Sequence, residues 1–520
     1  MPASKPDILF IVLDTLRRDH LSAYGYARPT SPHLDTFAAQ ATVFERAVAP
    51  AQWTIPSHAS MFTGVYPSTH QVTQSSSALS GAHPTLAEIV RGAGYHTVAF
   101  CNNPLVGVLN NGLQRGFERF YNYASAAPFR PREAQRSKLH RDLLRSFRRH
   151  VARPLGNQFA HSDFLFRMSL NPLFVPLWTR LINYKGNTAH SVEDLLTYWK
   201  QHHAGGAQKP LFAFLNLMGA HLPYNPPQDV LDRIASGLRK DKRAYAFIRA
   251  FNADAARWAS PPDAPLEDWQ RDALDSFYDA EIAYQDEQLG RLLRYLRESG
   301  GLENTTVIIC ADHGEGHGDH DFFGHGFVVY QELVHVPLII HDPQRFPAGQ
   351  RLTQTVSTRR LFHTVLEAAR VRRPPLDEAD PNANVAGLTL SQVAGGSDLE
   401  NSMALAEAFP PLTFLNVVQH RSPALVERLR LSGVRRGIYS GAHKLALVGE
   451  QAEGLYDVAA DPAETRNLVT AQPDRAAELS RKLAALVAQA ESRRAEADPF
   501  VTPEADAATL DHLRALGYIE

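Results

Sequence analysis

Short apolar runs alternate with segments of helical periodicity along most of the chain. Five such runs predict strands, at Ile8–Leu13, Thr97–Cys101, Leu211–Leu217, Thr306–Cys310 and Val336–Ile340. Between them, apolar residues recur every three to four positions, most clearly from about Leu274 to Glu298, where Ser299-Gly300-Gly301 ends the pattern. Strands that alternate with helices predict a layered α/β fold with a largely parallel sheet.

The pattern changes near the C-terminus. From about residue 400 the apolar segments become short, at Arg436–Tyr439, Lys444–Val448 and Leu455–Val458, and an amphipathic helix is predicted over about Ala476–Ala495. We therefore predict an α/β domain over about residues 1–400 and a small C-terminal α+β subdomain with antiparallel strands over about 401–520.

One stretch interrupts the alternation, a partly helical insertion at about residues 125–205. Within it, Arg130–Arg153 holds nine basic and two acidic residues, and an aromatic and apolar stretch follows up to Trp178. This composition is typical of a solvated helical insertion that packs on the main domain. The alternative is a basic amphipathic surface that contacts anionic lipid or a polyanionic substrate through about residues 130–180.

Composition narrows the class of protein. The 520-residue chain has 44% hydrophobic residues, which is enough apolar surface for a core. Its formal net charge of −2 argues against a nucleic-acid-binding protein, which needs clustered positive charge. No run approaches the roughly 20 apolar residues of a bilayer span, and no signal peptide is visible before the first strand. Cys101 and Cys310 end apolar strands and are predicted to be buried thiols. We therefore expect a cytoplasmic protein, and the oligomeric state stays open.

Candidate metal ligands follow two of the predicted strands. Asp14 directly follows Ile8–Leu13, and Asp312 and His313 come just after Thr306–Cys310. Ligands of open α/β sheets bind outside the carboxyl ends of the strands, and two neighbouring carboxylates need a cation or a shared proton. The three side chains are therefore candidate ligands of one metal ion. The alternative for each residue alone is a helix cap or a loop residue.

Thr54 lies two residues before Pro56, at the start of an apolar helical segment that runs to Thr63. This position is typical of a helix N-cap, which is the simpler interpretation. The functional alternative is a nucleophile, because the helix dipole and a nearby metal ion both favour an alkoxide there.

Further motifs occur in a fixed order along nearly the whole chain. They are Val12–Asp19, Thr54–Pro67, Pro210–Pro227, Asp312–Ile340 and Leu455–Leu468. Together they resemble the sulfatase family of the alkaline phosphatase superfamily. The resemblance implies an alkaline-phosphatase-like α/β/α sandwich with a mixed, mainly parallel sheet. It also implies a hydrolase or transferase that acts on phosphoric or sulfuric ester bonds.

Two departures from the family pattern change the expected chemistry. Sulfatases carry cysteine or serine at the position of Thr54, and a maturation enzyme oxidises that residue to formylglycine. Threonine cannot give this aldehyde, because oxidation of its secondary alcohol yields a ketone. His58 replaces the family's arginine as well. We therefore expect no formylglycine, and displacement at phosphorus through a phospho-threonine, as in related phosphodiesterases and phosphoethanolamine transferases.

The resemblance also implies the set of metal ligands, which comprises Asp14, Thr54, Asp312 and His313. Calcium-dependent sulfatases use an all-oxygen set at these positions. Imidazole as a ligand favours zinc or manganese over calcium. We therefore expect one divalent ion, zinc or manganese.

Three further residues receive roles from the resemblance. His325, at the position of a family lysine, and Asn103 are expected to hold oxygens of the substrate, and His221 is expected to protonate the leaving oxygen. For His221 and Asn103 the alternative is a purely structural role. The expected partner is an anionic ester, foremost a phosphate diester.

Two other functions stay open. One is a sulfuric ester hydrolase that works without formylglycine. The other is a non-catalytic sulfatase-like binding protein, which the joint presence of Asp14, Asp312 and His313 disfavours.

Overall fold

The computed structural model describes residues 5–107, 109–124, 185–206, 209–253, 264–371 and 388–494, together with residue 261. The basic segment Arg130–Arg153 and the expected lipid-contacting surface at 130–180 lie outside the described residues. Both therefore stay predictions.

Fourteen strands are present in the described part of the chain. They are β1 Asp7–Leu13, β2 Thr42–Val48, β3 His96–Cys101, β4 Arg119–Asn122, β5 Leu211–Leu217, β6 Thr305–Cys310, β7 Gly316–His317, β8 Phe323–Gly324, β9 His335–His341, β10 Arg351–Ser357, β11 Met403–Ala408, β12 Arg435–Ser440, β13 His443–Val448 and β14 Gln451–Asp457.

The helices fall between these strands. They are α1 Pro32–Ala38, α2 Thr54–Thr63, α3 Pro67–His70, α4 Leu86–Gly92, α5 Pro104–Gly107, α6 Thr188–Ala204, α7 Gln228–Ile234, α8 Lys242–Ala253, α9 Asp268–Glu298, α10 Gln331–Val334, α11 Leu361–Ala368, α12 Leu390–Ala394, α13 Leu412–Arg421, α14 Pro423–Arg428 and α15 Pro473–Ser492. Short 3-10 helices span Arg18–His20, Ser22–Tyr24, Leu238–Lys240, Gly301–Asn304 and Thr358–Arg360.

An eight-stranded mixed sheet forms the centre of the protein, in the order β10-β2-β9-β6-β1-β5-β3-β4. Every neighbouring pair is parallel except the two pairs made by β9, which runs against β2 and β6. The carboxyl ends of β1, β3, β5 and β6 therefore lie at one edge of the sheet. The loops that follow these strands build the functional site.

Helices cover the sheet in two groups. One group surrounds the long helix α9, which contacts α1, α6, α7 and α8, and the other surrounds α2, which contacts α3, α4, α5 and α11. Because the central strands are covered on both faces, Ile8–Leu13 is completely buried and reads as a continuous apolar run. This arrangement confirms the predicted α/β/α sandwich with a mixed, mainly parallel sheet.

A second sheet of four antiparallel strands, β11-β12-β13-β14, begins at Met403. Leu479 and Leu483 of α15 pack in one apolar cluster with Ile438 and Leu445 of this sheet. The predicted short C-terminal strands and the terminal helix are therefore all present.

Sequence periodicity missed some strands. The missed strand β2 carries Glu45 and Arg46 at half-buried positions, and the missed edge strand β10 starts with the exposed Arg351. Charged residues within a strand remove the apolar pattern on which the prediction depends. None of the helices in the described ranges combines the length and apolar character that a bilayer crossing requires.

Candidate active site and metal centre

Three side chains converge at the carboxyl edge of the central sheet. Asp14 follows β1, and Asp312 and His313 follow β6, its parallel neighbour. One ligand atom from each residue lies within 4.8 Å of those of the other two, and all three residues are completely buried. The structure therefore brings the sequence-predicted ligands into one site.

The charges of this site point to a cation. Oδ1 of Asp14 and Oδ2 of Asp312 are buried and have no hydrogen-bond partner among the described residues. Burial and the Asp312 carboxylate raise the pKa of Asp14 to about 7, and burial raises that of Asp312 to about 8. Two unsatisfied carboxylate oxygens in a buried site are the donor set that a divalent ion stabilises. These residues therefore fit a metal ion.

His313 is oriented as a metal ligand. Its Nδ1 hydrogen donates to the carbonyl oxygen of Gly314 at 2.8 Å, which leaves the Nε2 lone pair free to face the site. Nε2 lies 3.4 Å from Oδ2 of Asp312 and 4.0 Å from Oδ1 of Asp14. Burial, followed by the neighbouring His325, lowers the pKa of His313 to about 4, so the ring is the neutral form that binds metals.

Thr54 is the first residue of α2 and is 2% exposed. Trp53 occupies the N-cap position, so the interpretation of Thr54 as the cap is wrong. Instead, Oγ1 of Thr54 lies 3.3 Å from Nε2 of His313. The hydroxyl therefore faces the same point as the metal-ligand atoms.

Asn103 lies beside both Asp14 and Thr54. The backbone N–H of Leu105 donates to Oδ1 of Asn103 at 2.8 Å, which fixes the side-chain amide. Nδ2 then donates to Oδ2 of Asp14 at 2.7 Å and lies 3.5 Å from Oγ1 of Thr54. The structure thus places Asn103 against a ligand and the candidate nucleophile.

A row of histidines extends from the metal centre. The ring centroid of His325 lies 4.5 Å from that of His313 and 5.3 Å from that of His221. Burial lowers the pKa of His325 to about 4 and that of His221 well below its usual value. Both rings are therefore neutral near pH 7 in the protein without substrate, so a proton-donating role for His221 requires a substrate that raises its pKa.

Glu315 is a site residue to which the sequence analysis assigned no role. Its Oε1 lies 2.8 Å from Nδ1 of His325, whereas its Oε2 is buried without a partner among the described residues. Burial raises the pKa of Glu315 to about 7. Its position two residues after His313 is the sequence feature that could have identified it. Its contact with Nδ1 orients the ring of His325.

Lys185 is a second residue that the sequence analysis missed. Its Nζ donates to Oε1 of Glu281 at 2.9 Å and to the carbonyl oxygen of Pro223 at 3.0 Å. It is also one of the cations that lower the pKa of His221, after burial and the neighbouring His325. A lone lysine within the insertion gives no sequence signal, because only folding brings it to His221.

Known proteins are similar to this chain over most of its length. The sulfatase family model matches residues 6–371. An arylsulfatase of Clostridium perfringens is 25% identical over 397 residues, which cover 71% of this chain and 76% of that protein. The multifunctional alkaline phosphatase superfamily protein PehA of Trinickia caryophylli is 25% identical over 394 residues, 67% of this chain and 70% of that protein.

A solved structure shares the fold. The phosphonate monoester hydrolase of Agrobacterium radiobacter superposes with a TM-score of 0.63 at 22% identity. The match covers 93% of this chain and 96% of that chain.

Proposed function

The chain belongs to the sulfatase family of hydrolases that act on sulfuric or phosphoric ester bonds, and we propose that it cleaves a phosphate ester, foremost a diester, with Thr54 as nucleophile. One observation carries this proposal. The hydroxyl of Thr54 does not cap its helix but lies 3.3 Å from Nε2 of His313. His313 in turn clusters with Asp14 and Asp312, each of which has one carboxylate oxygen without a partner among the described residues. A threonine there has no route to formylglycine, so the attacking group is the hydroxyl itself.

The residues that would hold the metal ion are Asp14, Thr54, Asp312 and His313. Family members are metal-dependent, and the mixed oxygen and imidazole donor set favours zinc or manganese over calcium. When bound, such an ion lowers the pKa of a hydroxyl and neutralises charge on an oxygen of the ester.

The protein's side chains position the reaction. Asn103 donates a hydrogen bond to Asp14 and lies beside Thr54, so it fixes the position of the carboxylate relative to the nucleophile. We propose that the Thr54 hydroxyl gives up its proton to water as its Oγ1–phosphorus bond forms and the bond from phosphorus to the leaving oxygen breaks. Water or an acceptor alcohol then releases the phosphoryl group from Thr54, which gives hydrolysis or transfer respectively.

His221 and His325 are proposed to face the ester. In the protein without substrate both are neutral, because burial lowers their pKa. An anionic ester next to them raises these pKa values, because the opposite charge favours the protonated ring. Substrate binding thus allows His221 to take up a proton from solvent, which it passes to the leaving oxygen.

The second candidate is a sulfuric ester hydrolase without formylglycine. Sulfate and phosphate monoanions overlap in charge and geometry, and the chain is similar to a protein named as an arylsulfatase. The non-catalytic alternative has less support, since a binding protein has no need for two buried carboxylate oxygens that lack partners in the described part of the chain.

Turnover of three chromogenic esters tests these alternatives. The purified protein is assayed with bis-p-nitrophenyl phosphate, p-nitrophenyl phosphate and p-nitrophenyl sulfate, each with zinc, manganese or calcium. We expect the diester to react fastest, with zinc or manganese. Thr54→Ala is the inactive control, and Thr63→Ala is matched to it, because Thr63 ends the same helix and its hydroxyl donates to the carbonyl oxygen of Ala59.

Three outcomes would contradict the proposed function. A preference for the sulfate that depends on Thr54 would replace the phosphate proposal with a threonine sulfatase. Turnover of any ester that Thr54→Ala leaves unchanged would remove Thr54 from the mechanism. Absence of turnover of all three esters by metal-loaded protein would favour the binding protein.

A further inference from the structure

A second group of metal-binding side chains lies outside the site described above. His20 belongs to the 3-10 helix Arg18–His20, Asp275 to α9 and His317 to β7. One ligand atom from each lies within 4.8 Å of those of the other two. Both histidines are buried, whereas the side chain of Asp275 is 26% exposed. The cluster is therefore formed by three separate elements and opens to solvent at its carboxylate.

The contacts of His20 fix its orientation. Its Nδ1 lies 2.7 Å from Oδ1 of Asp279, whose other oxygen accepts hydrogen bonds from Tyr26 and Arg28 at 2.9 Å each. Since this carboxylate accepts the proton on Nδ1, the Nε2 lone pair of His20 is available. A histidine held by a carboxylate through its second nitrogen is the usual arrangement around protein-bound zinc.

His317 is held in a comparable way. Its Nε2 lies 2.9 Å from the hydroxyl of the buried Tyr224, and its Nδ1 lies 3.0 Å from Oδ1 of Asp275. Burial alone would raise the pKa of Asp275, but the hydrogen bond with His317 lowers it, so Asp275 is ionised at neutral pH. In the metal-free protein the ring proton on Nδ1 is donated to Asp275. When the proton lies on Nε2 and is donated to Tyr224 instead, the Nδ1 lone pair faces the same carboxylate, which is the form that zinc binds.

We propose that His20, Asp275 and His317 form a second metal site that binds one zinc ion. Two imidazoles and one carboxylate are a donor set that zinc prefers, and the exposed side of Asp275 leaves the fourth position to water. Asp279 and Tyr224 are the outer partners that orient the two histidines. This site shares no residue with the centre formed by Asp14, Asp312 and His313.

The position of the second site gives it a structural purpose. His20 follows Asp14 by six residues, and His317 follows His313 by four, so each catalytic-site loop contributes one ligand. Tyr278 of α9 contacts both histidines, with ring centroids 5.1 Å from His20 and 4.7 Å from His317. An ion here ties the two loops that carry the catalytic ligands to the long helix α9.

Counting bound zinc tests the proposal without any assay of activity. Protein is stripped with a chelator, dialysed against zinc and then against zinc-free buffer, and its zinc content is measured by elemental analysis. We expect two ions per wild-type chain and one in Asp275→Asn. The matched control is Asp272→Asn, on the same helix and bonded to Arg28, which keeps two.

A variant of the catalytic centre separates this proposal from the proposed function. Asp312→Asn removes a ligand of the catalytic centre only, so this variant is expected to keep one zinc ion, which the additional Asp275→Asn or His317→Gln substitution removes. Cobalt bound to Asp312→Asn protein is expected to give the visible absorption of a four-coordinate site. If a double variant does not fold, this absorption is the test of the second site. One zinc ion per wild-type chain that Asp275→Asn leaves in place, or no cobalt absorption in Asp312→Asn, would overturn the second site.

Discussion

The side-chain amide of Asn103 donates a 2.7 Å hydrogen bond to Asp14 and lies 3.5 Å from the hydroxyl of Thr54. One side chain thus joins a predicted metal ligand to the predicted nucleophile. Asn103 follows β3 and Asp14 follows β1, and β5 lies between these two strands in the sheet. The relationship therefore depends on the sheet and not on sequence proximity.

Replacing Asn103 is expected to weaken both metal binding and catalysis. Asn103→Ala removes the donor that orients Asp14, and loss of such an outer partner typically costs about 10–100-fold in metal affinity or activity. Zinc affinity by competition with a chelator, together with kcat at saturating zinc, measures the two effects. Asn110→Ala, at an exposed nearby position, is the control. Unchanged zinc affinity and kcat in Asn103→Ala would contradict the positioning role.

Thr54→Ala is expected to abolish turnover while the protein stays folded. Removal of a nucleophile commonly lowers kcat by about 10³-fold or more. Thr54→Ser, expressed without the maturation enzyme that oxidises serine, keeps a hydroxyl and is expected to retain measurable turnover, in contrast to Thr54→Ala. Steady-state kinetics and circular dichroism of both variants provide the comparison. Equal activity of the alanine variant and the wild type would exclude Thr54 as the nucleophile.

Asp312→Asn is expected to abolish activity but to stabilise the metal-free protein. Both carboxylates are ionised in the metal-free protein above about pH 8, because burial raises their pKa values to about 7 and about 8. At such a pH the substitution removes one of two buried charges, so it should stabilise the chelator-treated protein by roughly 1–3 kcal/mol while it abolishes turnover. Thermal melting with and without zinc measures the difference, with Asp272→Asn as the control. If the metal-free variant melts below the metal-free wild type, the two carboxylates do not repel as proposed.

His70 is expected to make the protein less stable in acid. Its Nε2 lies 3.0 Å from Oγ of Ser60, its Nδ1 accepts from the backbone N–H of Val72, and burial lowers its pKa to about 3. The pKa of a histidine in the unfolded chain is near 6.5. Between about pH 3 and pH 6.5 the unfolded chain therefore binds more protons than the folded protein. Stability from His70 is therefore full above about pH 6.5 and falls as the pH decreases, by about 2 kcal/mol at pH 5.

Unfolding of His70→Asn at pH 7.5 and pH 5 measures this contribution. Its amide oxygen can still accept from Val72, so the variant is expected to lose less stability on acidification than the wild type. His203→Asn is the control, because the His203 side chain is 42% exposed. Parallel losses in wild type and His70→Asn would show that His70 does not cause the acid sensitivity.

The central strands and the residues that follow them were predictable from the sequence. Strands β1 and β6 are covered on both faces, so each is an unbroken apolar run, and the first polar residues after them mark the carboxyl edge of the sheet. Asp14, Asp312 and His313 were found in this way. The hydroxyl at position 54 and the chemistry that it excludes also follow from residue identity alone.

Only the tertiary structure decided how these groups meet. Position in the sequence could not distinguish a capping Thr54 from one that faces His313, because both place threonine at the start of the same helix. The contact of His20 with Asp279 joins residues 259 positions apart, and Lys185 reaches Glu281 across 96 positions. Periodicity reports which residues are buried, but side-chain direction and long-range contacts depend on how the strands and helices pack.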